Sequence, residues 1–397
     1  MENLLIESQL IVKRTPLQFK RYLLEKINWN NRLIAIKGAR GVGKTTLLLQ
    51  HIGLNHKPDT SVLYVSLEHQ YFYENRLISL ADEFYKNGGK YLLLDEVHKY
   101  PNWSHEIKLI YDNYPELHVV FTSSSILDIY KGESDLSRRV VSYNLDNLSL
   151  REYIEFNSGE VFPVYSFNDI IENHSTISAE ILDKIKPIFE FNNYVKYGAY
   201  PYFKEDLESY YQKLINTINL IIEVDINTIH NLDYQLIYKA KHLLYAIASS
   251  VPFTPNISKL SERINVSRPT LLKALKYLQQ ALLIILANKH KKGISVLSKP
   301  DKIYLNNTNL IYALAKDNAD IGNIRETFFI NQLLNSNKID ISEIGDFIVN
   351  DKYIFEIGGK NKKQHQIKGA KNTFIVKDNI ELGVNNVIPL WLFGFLY

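Results

Sequence analysis

The feature that most limits the fold of this chain is a glycine-rich loop between an apolar segment and a helix. Residues 33–36 (LIAI) are an apolar run that predicts a strand buried on both faces. The loop GARGVGKTT follows at 38–46, and the next residues, LLLQHI, predict a helix because they lack Gly and Pro. A strand, a loop of the form GxxxxGK[ST] and a helix together predict a phosphate-binding loop.

Each residue type in this loop suits the binding of a phosphate chain. Glycines let successive backbone N–H groups point inward, and the start of the following helix favours negative charge. Lys44 is predicted to reach the β- and γ-phosphates, and Thr45 to place its hydroxyl on Mg²⁺. The candidate nucleotide-binding residues are Gly38, Ala39, Arg40, Gly41, Val42, Gly43, Lys44, Thr45 and Thr46. The alternative is a glycine-rich turn that contains a lysine by chance.

Two carboxylates end the apolar segment YLLL at 91–94. They belong to Asp95 and Glu96, and the pattern predicts a buried strand whose carboxyl end faces the nucleotide. Asp95 is predicted to hold the Mg²⁺ shell, and Glu96 to orient or deprotonate the attacking water. A solvated acidic strand end is the alternative interpretation.

Hydroxyl and guanidinium groups follow this acidic strand. The apolar run 118–122 leads into serines at 123–125, which suit sensing of the γ-phosphate or the attacking water, or the capping of a helix. Arg138 and Arg139 suit stabilisation of transition-state charge on the nucleotide of a neighbouring subunit, or a solvated surface pair. Both pairs of alternatives stay open.

Four segments, in order over roughly the first 155 residues, carry a family resemblance. They are GARGVGKTTLL, LLLDEVHKYPNW, VVFTSSSILDI and LSRRVVSYNLDNLSLREYIEF. This part of the chain resembles a prokaryotic family of AAA-type ATPases whose C-terminal domain of unknown function looks like a PD-(D/E)xK nuclease. The resemblance implies nucleotide binding by Gly38, Gly43, Lys44 and Thr45, handling of Mg²⁺ and water by Asp95 and Glu96, sensing by Ser124 and an arginine finger at Arg139.

The chain departs from the family pattern at three positions. Ala39 and Gly41 replace residues that are common in the family loop, which removes no ligand. Arg138 stands where the family usually has glycine before the finger. Which of the two arginines acts is therefore left open.

The middle of the chain reads as helical. Residues 157–178 interrupt the regular pattern and predict a linker or lid insertion, and residues 208–249 have the apolar spacing of core-facing helices. Residues 258–275 then have the pattern of a helix-turn-helix motif, with Ser267 as the cap of the second helix. Apolar segments at 282–287 and 303–305 flank the basic stretch 289–293, which completes the pattern of a winged helix.

Basic residues give this region a candidate DNA-binding surface. In a DNA-binding winged helix, the recognition helix and the wing contact the nucleic acid. This pattern predicts DNA contacts by Arg268, Thr270, Lys273, Lys276, Lys291 and Lys292. Winged helices also pack against other domains as structural or protein-binding modules. That alternative stays open.

In the C-terminal region, three acids align with a nuclease-like constellation. Glu326 lies on a helix predicted at 322–334, and Asp346 and Glu356 lie on strands predicted at 345–349 and 353–357. The nuclease-like role of the three acids is what the resemblance implies. The lysine that accompanies the last acid belongs at position 358, where this chain has glycine, and Lys360 lies about two residues too far along. A bulge at Gly358–Gly359 would bring Lys360 closer, but the sequence predicts a weakened or lost nuclease centre. The lysine-rich stretch 352–377 is either able to grip a phosphate backbone or solvated on a relic fold used for docking.

Composition excludes some classes of protein. The 46 basic and 43 acidic residues leave a net charge of +3, so a nucleic-acid surface has to be local. Cysteine is absent, which excludes disulfides and thiol chemistry. The N-terminus lacks the pattern of a secretory signal, and no apolar run reaches the about 18 residues of a membrane span. We therefore expect a cytoplasmic protein with no membrane partner.

Together these patterns predict an α/β chain with three parts. An AAA-type P-loop domain with a parallel sheet spans 1–156, and a helical region with a winged helix at about 250–306 spans 157–310. A small restriction-endonuclease-like α/β domain spans 311–397. The predicted function is that of an ATPase using ATP and Mg²⁺, associated with DNA and assembled into a homo-oligomer through its arginine finger. Alternatives are a slow nucleotide-gated scaffold or sensor without a nucleic-acid role, and an ATP-dependent DNA nuclease.

Overall fold

The computed structural model describes residues 1–57, 59–123, 136, 138–227, 234–249, 254–289, 299–362 and 371–397. Contacts divide the chain into two compact units, Met1–Asn147 and Leu148–Tyr397. The predicted limits at 156 and 310 remain predictions. In the described ranges, no helix is both long and apolar enough to cross a bilayer.

The first unit contains a sheet of five described strands that all run parallel, in the order β2-β3-β4-β1-β5. The strands are β1 (Leu33–Lys37), β2 (Val62–Ser66), β3 (Tyr91–Asp95), β4 (His118–Ser123) and β5 (Val141–Asn144). All five residues of β1 are buried, because helices cover both faces of such a sheet. Since β4 lies between β1 and β3, the loop after β1 and the acids after β3 flank the end of β4.

Helices surround this sheet. They are α1 (Glu2–Arg14), α2 (Leu23–Lys26), α3 (Lys44–Asn55), α4 (Leu77–Lys86) and α5 (Trp103–Asn113), with short 3₁₀ turns at Gln70–Tyr73 and Val97–Lys99. One apolar cluster joins strands and helices; Leu63, Leu94 and Phe121 in it have no exposed surface. The core thus holds the carboxyl ends of the strands in a fixed arrangement.

The second unit begins with helices. They are α6 (Leu150–Ser158), α7 (Phe167–Leu182), α8 (Pro187–Asn193), α9 (Tyr210–Leu220) and α10 (Tyr234–Ala248), with π-helical turns at Tyr194–Gly198 and Ile221–Ile226 and a 3₁₀ turn at Pro201–Lys204. The prediction of a linker or lid over 157–178 is wrong for its second half, which is part of α7. Ser166 and Asp169 form a capping box at the start of α7, and its apolar residues Phe167, Ile170 and Ile181 are buried on one face.

The predicted helix-turn-helix residues form two helices, α11 (Ile257–Arg263) and α12 (Arg268–Gln280). The turn passes through Asn265 with φ of 50°, and the Ser267 side chain accepts the backbone N–H of Thr270. Two antiparallel strands follow, β6 (Ile284–Ala287) and β7 (Lys302–Leu305). The predicted wing residues Lys291 and Lys292 lie outside the described residues.

A mixed sheet of five described strands occupies the C-terminal part, in the order β12-β11-β10-β9-β8. Its elements are α13 (Thr308–Ala315), a 3₁₀ turn (Lys316–Asn318), α14 (Ile321–Leu333), β8 (Ile339–Ile341), β9 (Phe347–Val349), β10 (Tyr353–Gly358), β11 (Thr373–Lys377), β12 (Val387–Pro389) and a final 3₁₀ turn (Leu390–Phe395). The helix predicted at 322–334 and the strands predicted at 345–349 and 353–357 correspond to α14, β9 and β10.

Candidate functional site

The loop between β1 and α3 needs its glycines for two different reasons. Gly41 and Gly43 have φ of 84° and 98°, a left-handed conformation that residues with a side chain rarely adopt. At Gly38, a Cβ atom would lie 2.3 Å from the carbonyl oxygen of Leu145. The loop therefore has the tight curl of a phosphate cradle.

Lys44 lies across this loop. Its side chain is buried, and its ammonium donates hydrogen bonds to the carbonyl oxygens of Gly38 (3.0 Å) and Ala39 (2.9 Å). The ammonium is thus held over the loop, where the loop pattern predicts a phosphate chain.

Arg21, which the sequence did not single out, also holds the loop. Its guanidinium donates to the carbonyl oxygens of Val42 (2.6 Å), Asp146 (2.7 Å) and Asn147 (3.1 Å). Arg21 is 4% exposed, and no motif connects it with a loop that begins 17 positions later. It fixes the loop against the segment after β5.

Asp95, at the end of β3, receives three hydroxyl groups. Its Oδ2 accepts from Thr45 (2.6 Å) and Tyr64 (3.0 Å), and its Oδ1 accepts from Thr122. Burial and the Asp95 carboxylate raise the pKa of Tyr64, so its hydroxyl stays protonated and donates. The sequence predicted Thr45 and Asp95 but not Tyr64 and Thr122.

The Thr45 hydroxyl and the Asp95 carboxylate fit a Mg²⁺ ion. Mg²⁺ prefers hard oxygen ligands and is usually held by one or two protein groups together with phosphates and water. These two oxygen atoms are adjacent, and they lie at the first turn of α3 beside the phosphate cradle. They are the residues that would hold the ion.

Glu96 leaves the line of β3. It adopts a left-handed conformation (φ 53°, ψ 43°), which is uncommon for a residue with a side chain, and its N–H donates to Thr122 Oγ1 (3.1 Å). Its side chain is 17% exposed and lies 3.4 Å from His98 Nε2. The carboxylate is thus accessible at the same edge of the sheet as Lys44 and Thr45.

The structure describes the two candidate finger arginines, Arg138 and Arg139, but not the predicted sensor. Ser124 lies outside the described residues. Arg139 forms a two-pronged ion pair with Asp112 of its own chain, with distances of 2.9 Å and 3.0 Å, whereas Arg138 is exposed.

The predicted nuclease-like acids are engaged by other groups. Glu326 Oε2 accepts from Lys302 (2.9 Å) and Tyr304 (2.6 Å), and Asp346 Oδ2 accepts the backbone N–H of Ile357 (2.7 Å). Burial raises the pKa of Glu326, and the Asp346 charge adds to this rise. Across the described residues, no group of three His, Asp or Glu side chains is arranged to hold a metal ion.

The lysine beside Glu356 is Lys362, not Lys360. Lys362 Nζ lies 3.1 Å from Glu356 Oε1, whereas Lys360 is exposed. The reason is the glycine at 358: a Cβ there would lie 2.7 Å from Cγ and Cδ of Lys362, so the absence of a side chain leaves room for the lysine stem. The sequence showed the missing lysine but not its replacement.

The predicted DNA-binding residues on α12 are exposed, except Thr270. Arg268, Lys273 and Lys276 are exposed, and the Lys273 ammonium lies 5.7 Å from the centre of the Tyr277 ring. Thr270 contributes instead to the helix cap, since its hydroxyl lies 2.7 Å from Ser267 Oγ.

Comparisons with known proteins agree with the geometry of the first unit. Residues 30–154 match the model of the AAA domain, and residues 188–321 match a domain of unknown function, DUF8612. An uncharacterized protein of Methanocaldococcus jannaschii is 26% identical over 306 residues, which is 71% of this chain and 64% of that protein. The chain therefore spans less than two thirds of the length of this relative.

Solved structures give weaker likenesses. A Walker-type ATPase of Pyrococcus abyssi has a TM-score of 0.42 and 12% identity, covering 73% of this chain and 93% of its own. The AMPPCP-bound DnaA of Aquifex aeolicus has a TM-score of 0.26 and 17% identity, covering 68% and 86%. The family match at residues 30–154, the parallel sheet and the glycine loop together support an AAA-type P-loop fold for this part of the first unit.

Proposed function

We propose that this protein is a Mg²⁺-dependent ATPase that couples its nucleotide state to the second unit. The observation that carries the proposal is the gathering of Lys44, Thr45, Asp95 and Glu96 at one edge of the sheet. The groups come from the start of α3 and from the end of β3. Each group has the chemistry that phosphoryl transfer to water requires.

The residues divide the work of hydrolysis. The loop amides and Lys44 bind and orient the phosphate chain, while Thr45 and Asp95 would hold Mg²⁺, which supplies positive charge beside the phosphates. Glu96 would orient the attacking water and accept its proton. Tyr64 and Thr122 keep the Asp95 carboxylate fixed through their hydroxyl groups.

The test is a titration of the purified chain with ATP and Mg²⁺, followed by steady-state phosphate release. We expect heat of binding with ATP and turnover that depends on Mg²⁺. No heat with either ATP or GTP in the presence of Mg²⁺ would overturn the proposal. Binding without turnover would favour the alternative, a nucleotide-gated scaffold or sensor.

A neighbouring subunit is proposed to supply the arginine finger. Arg139 is the residue that the family resemblance indicates, and its release from Asp112 would be part of assembly. Arg138 is exposed and carries the same charge. The proposal is therefore a homo-oligomer in which one of these two guanidinium groups completes the site, with Ser124 as the sensor.

For the second unit we propose contact with DNA and a nuclease-like centre that does not cut. Arg268, Lys273 and Lys276 are exposed on one helix, α12, which carries no acidic residue. The acids Glu326 and Glu356 each have a lysine as a close partner. One observation favours the alternative of an ATP-dependent nuclease: Glu356 Oε2 is buried and has no hydrogen-bond partner among the described residues.

Salt-dependent binding of a labelled DNA duplex tests this part. Neutralising both Arg268 and Lys273 with alanine should reduce the slope of log affinity against log salt by about two, one for each lost phosphate contact. The control is the double variant Lys184→Ala/Lys186→Ala, which removes the same charge from an exposed segment between α7 and α8. An unchanged slope in the α12 variant would exclude this helix as the contact.

The same duplex reports on cutting. With Mg²⁺ or Mn²⁺ present, we expect it to stay intact. Cutting that disappears in a Glu356→Gln variant would establish the nuclease alternative.

A further inference from the structure

The segment DEVHK contains a histidine that the proposed mechanism does not use. His98 lies in the 3₁₀ turn after Glu96, and its side chain is 3% exposed. One ring nitrogen, Nε2, lies 3.4 Å from Glu96 Oε2, and the other, Nδ1, lies 3.2 Å from Ser123 Oγ. The ring therefore lies between the candidate catalytic carboxylate and the end of β4.

The ring of His98 is neutral at ordinary pH. Burial lowers its pKa to about 3, and the positive charges of Lys99, Lys44 and Arg40 contribute. A neutral imidazole has one nitrogen that donates and one that accepts. Because an ionised carboxylate only accepts, the proton belongs on Nε2, facing Glu96, and Nδ1 accepts the hydroxyl proton of Ser123.

We infer that His98 is a positioning residue, which aligns the Glu96 carboxylate and couples this alignment to Ser123 at the end of β4. The role of Glu96 in this inference rests on the proposed function, whereas the contacts of His98 with Glu96 and Ser123 do not depend on it. Ser123 is fully buried and pairs with Lys37 at the end of β1, immediately before the glycine loop. A shift of the β4 end relative to the loop is thereby transmitted to the carboxylate through the imidazole.

The direction of the Glu96 carboxylate has to be held by a contact because its side chain is partly exposed. Its backbone turns away from β3, so the sheet does not fix the direction of the carboxylate. A contact that limits its rotamers keeps it directed at the water, and misplacement of a reacting group by about 1 Å costs on the order of 100-fold in rate.

Kinetics of His98 variants give the first test. We expect His98→Ala to lower kcat about 10- to 100-fold with KM and ATP affinity within a factor of about two. His98→Gln should recover part of the loss, because its amide group both donates and accepts. The control is His105→Ala, an exposed histidine on α5, which should match the parent.

A double-mutant comparison separates positioning from packing. If His98 acts through Glu96, then His98→Ala should have almost no further effect on the residual rate of the Glu96→Gln protein. Equal losses in both backgrounds, or a parental kcat for His98→Ala, would overturn the inference. Should His98→Ala fail to fold, His98→Gln and Ser123→Ala decide the same question, since both keep the volume of the site nearly unchanged.

Nitrogen NMR of histidine-labelled protein tests the contacts without any turnover. We expect His98, assigned by loss of its signals in His98→Gln, to be the Nε2–H tautomer from pH 6 to 8. The Nδ1–H tautomer or a protonated ring would refute the arrangement even in an active enzyme. Conversely, the expected tautomer in a protein that does not hydrolyse ATP would count against the proposed function alone.

Discussion

The Glu96→Gln protein is expected to bind ATP with parental affinity and to release phosphate at least about 100-fold more slowly, the usual loss when a general base is removed. Glutamine keeps the size and the hydrogen-bonding reach of glutamate but does not accept a proton. In the proposed mechanism the nucleotide contacts come from the loop, Lys44 and the Thr45–Asp95 pair, which this change leaves in place.

Two measurements check this expectation on the same samples. Titration calorimetry gives the ATP affinity, and a single-turnover experiment gives the rate of the chemical step without product release. Glu116→Gln is the matched control, because it makes the same chemical change at an exposed position of the first unit. Glu116→Gln should keep the parental rate.

A parental rate in Glu96→Gln would show that another group handles the water. If the parent itself is as slow as the variant, the chain is better described as a nucleotide-gated sensor. Loss of ATP affinity in Glu96→Gln would instead show that the left-handed turn at Glu96 shapes the loop.

The sequence predicted the parts of this site that depend on local spacing. The glycine loop and the acid pair each follow a short apolar run, and the parallel strands place them at a common edge. The terminal strands predicted around Asp346 and Glu356 are present for the same reason, since their apolar residues mark buried strands.

Contacts between distant segments were beyond the reach of such patterns. Arg21 reaches the loop from 21 positions away along the chain, and Tyr64 reaches Asp95 from the neighbouring strand β2. Lys362 replaces the absent lysine because of the room beside Gly358, which only the three-dimensional structure shows. Helix α7 was missed because its many polar residues hide the apolar stripe that it buries.

The second large effect is expected for Lys44→Ala, which should lower kcat/KM for ATP by about 100- to 1,000-fold, the range seen when one electrostatic donor is removed from a transition state. In the structure the ammonium is bonded to two neutral carbonyl oxygens, of Gly38 and Ala39. A phosphate oxygen carries negative charge and forms a stronger, charge-assisted bond with it, so the ammonium favours the bound nucleotide.

The Lys44→Ala variant should differ from Glu96→Gln in how the loss of activity is divided between ATP binding and the chemical step. Because Lys44 is proposed to contact the phosphates before and during the reaction, both ATP affinity and the chemical step should weaken, whereas Glu96→Gln should weaken the chemical step alone. Lys90→Ala, at an exposed lysine before β3, is the control for removal of one positive charge. A parental ATP affinity in Lys44→Ala, with its melting temperature unchanged, would mean that the loop does not hold the phosphate chain, and the roles of Thr45, Asp95 and Glu96 would lose their basis.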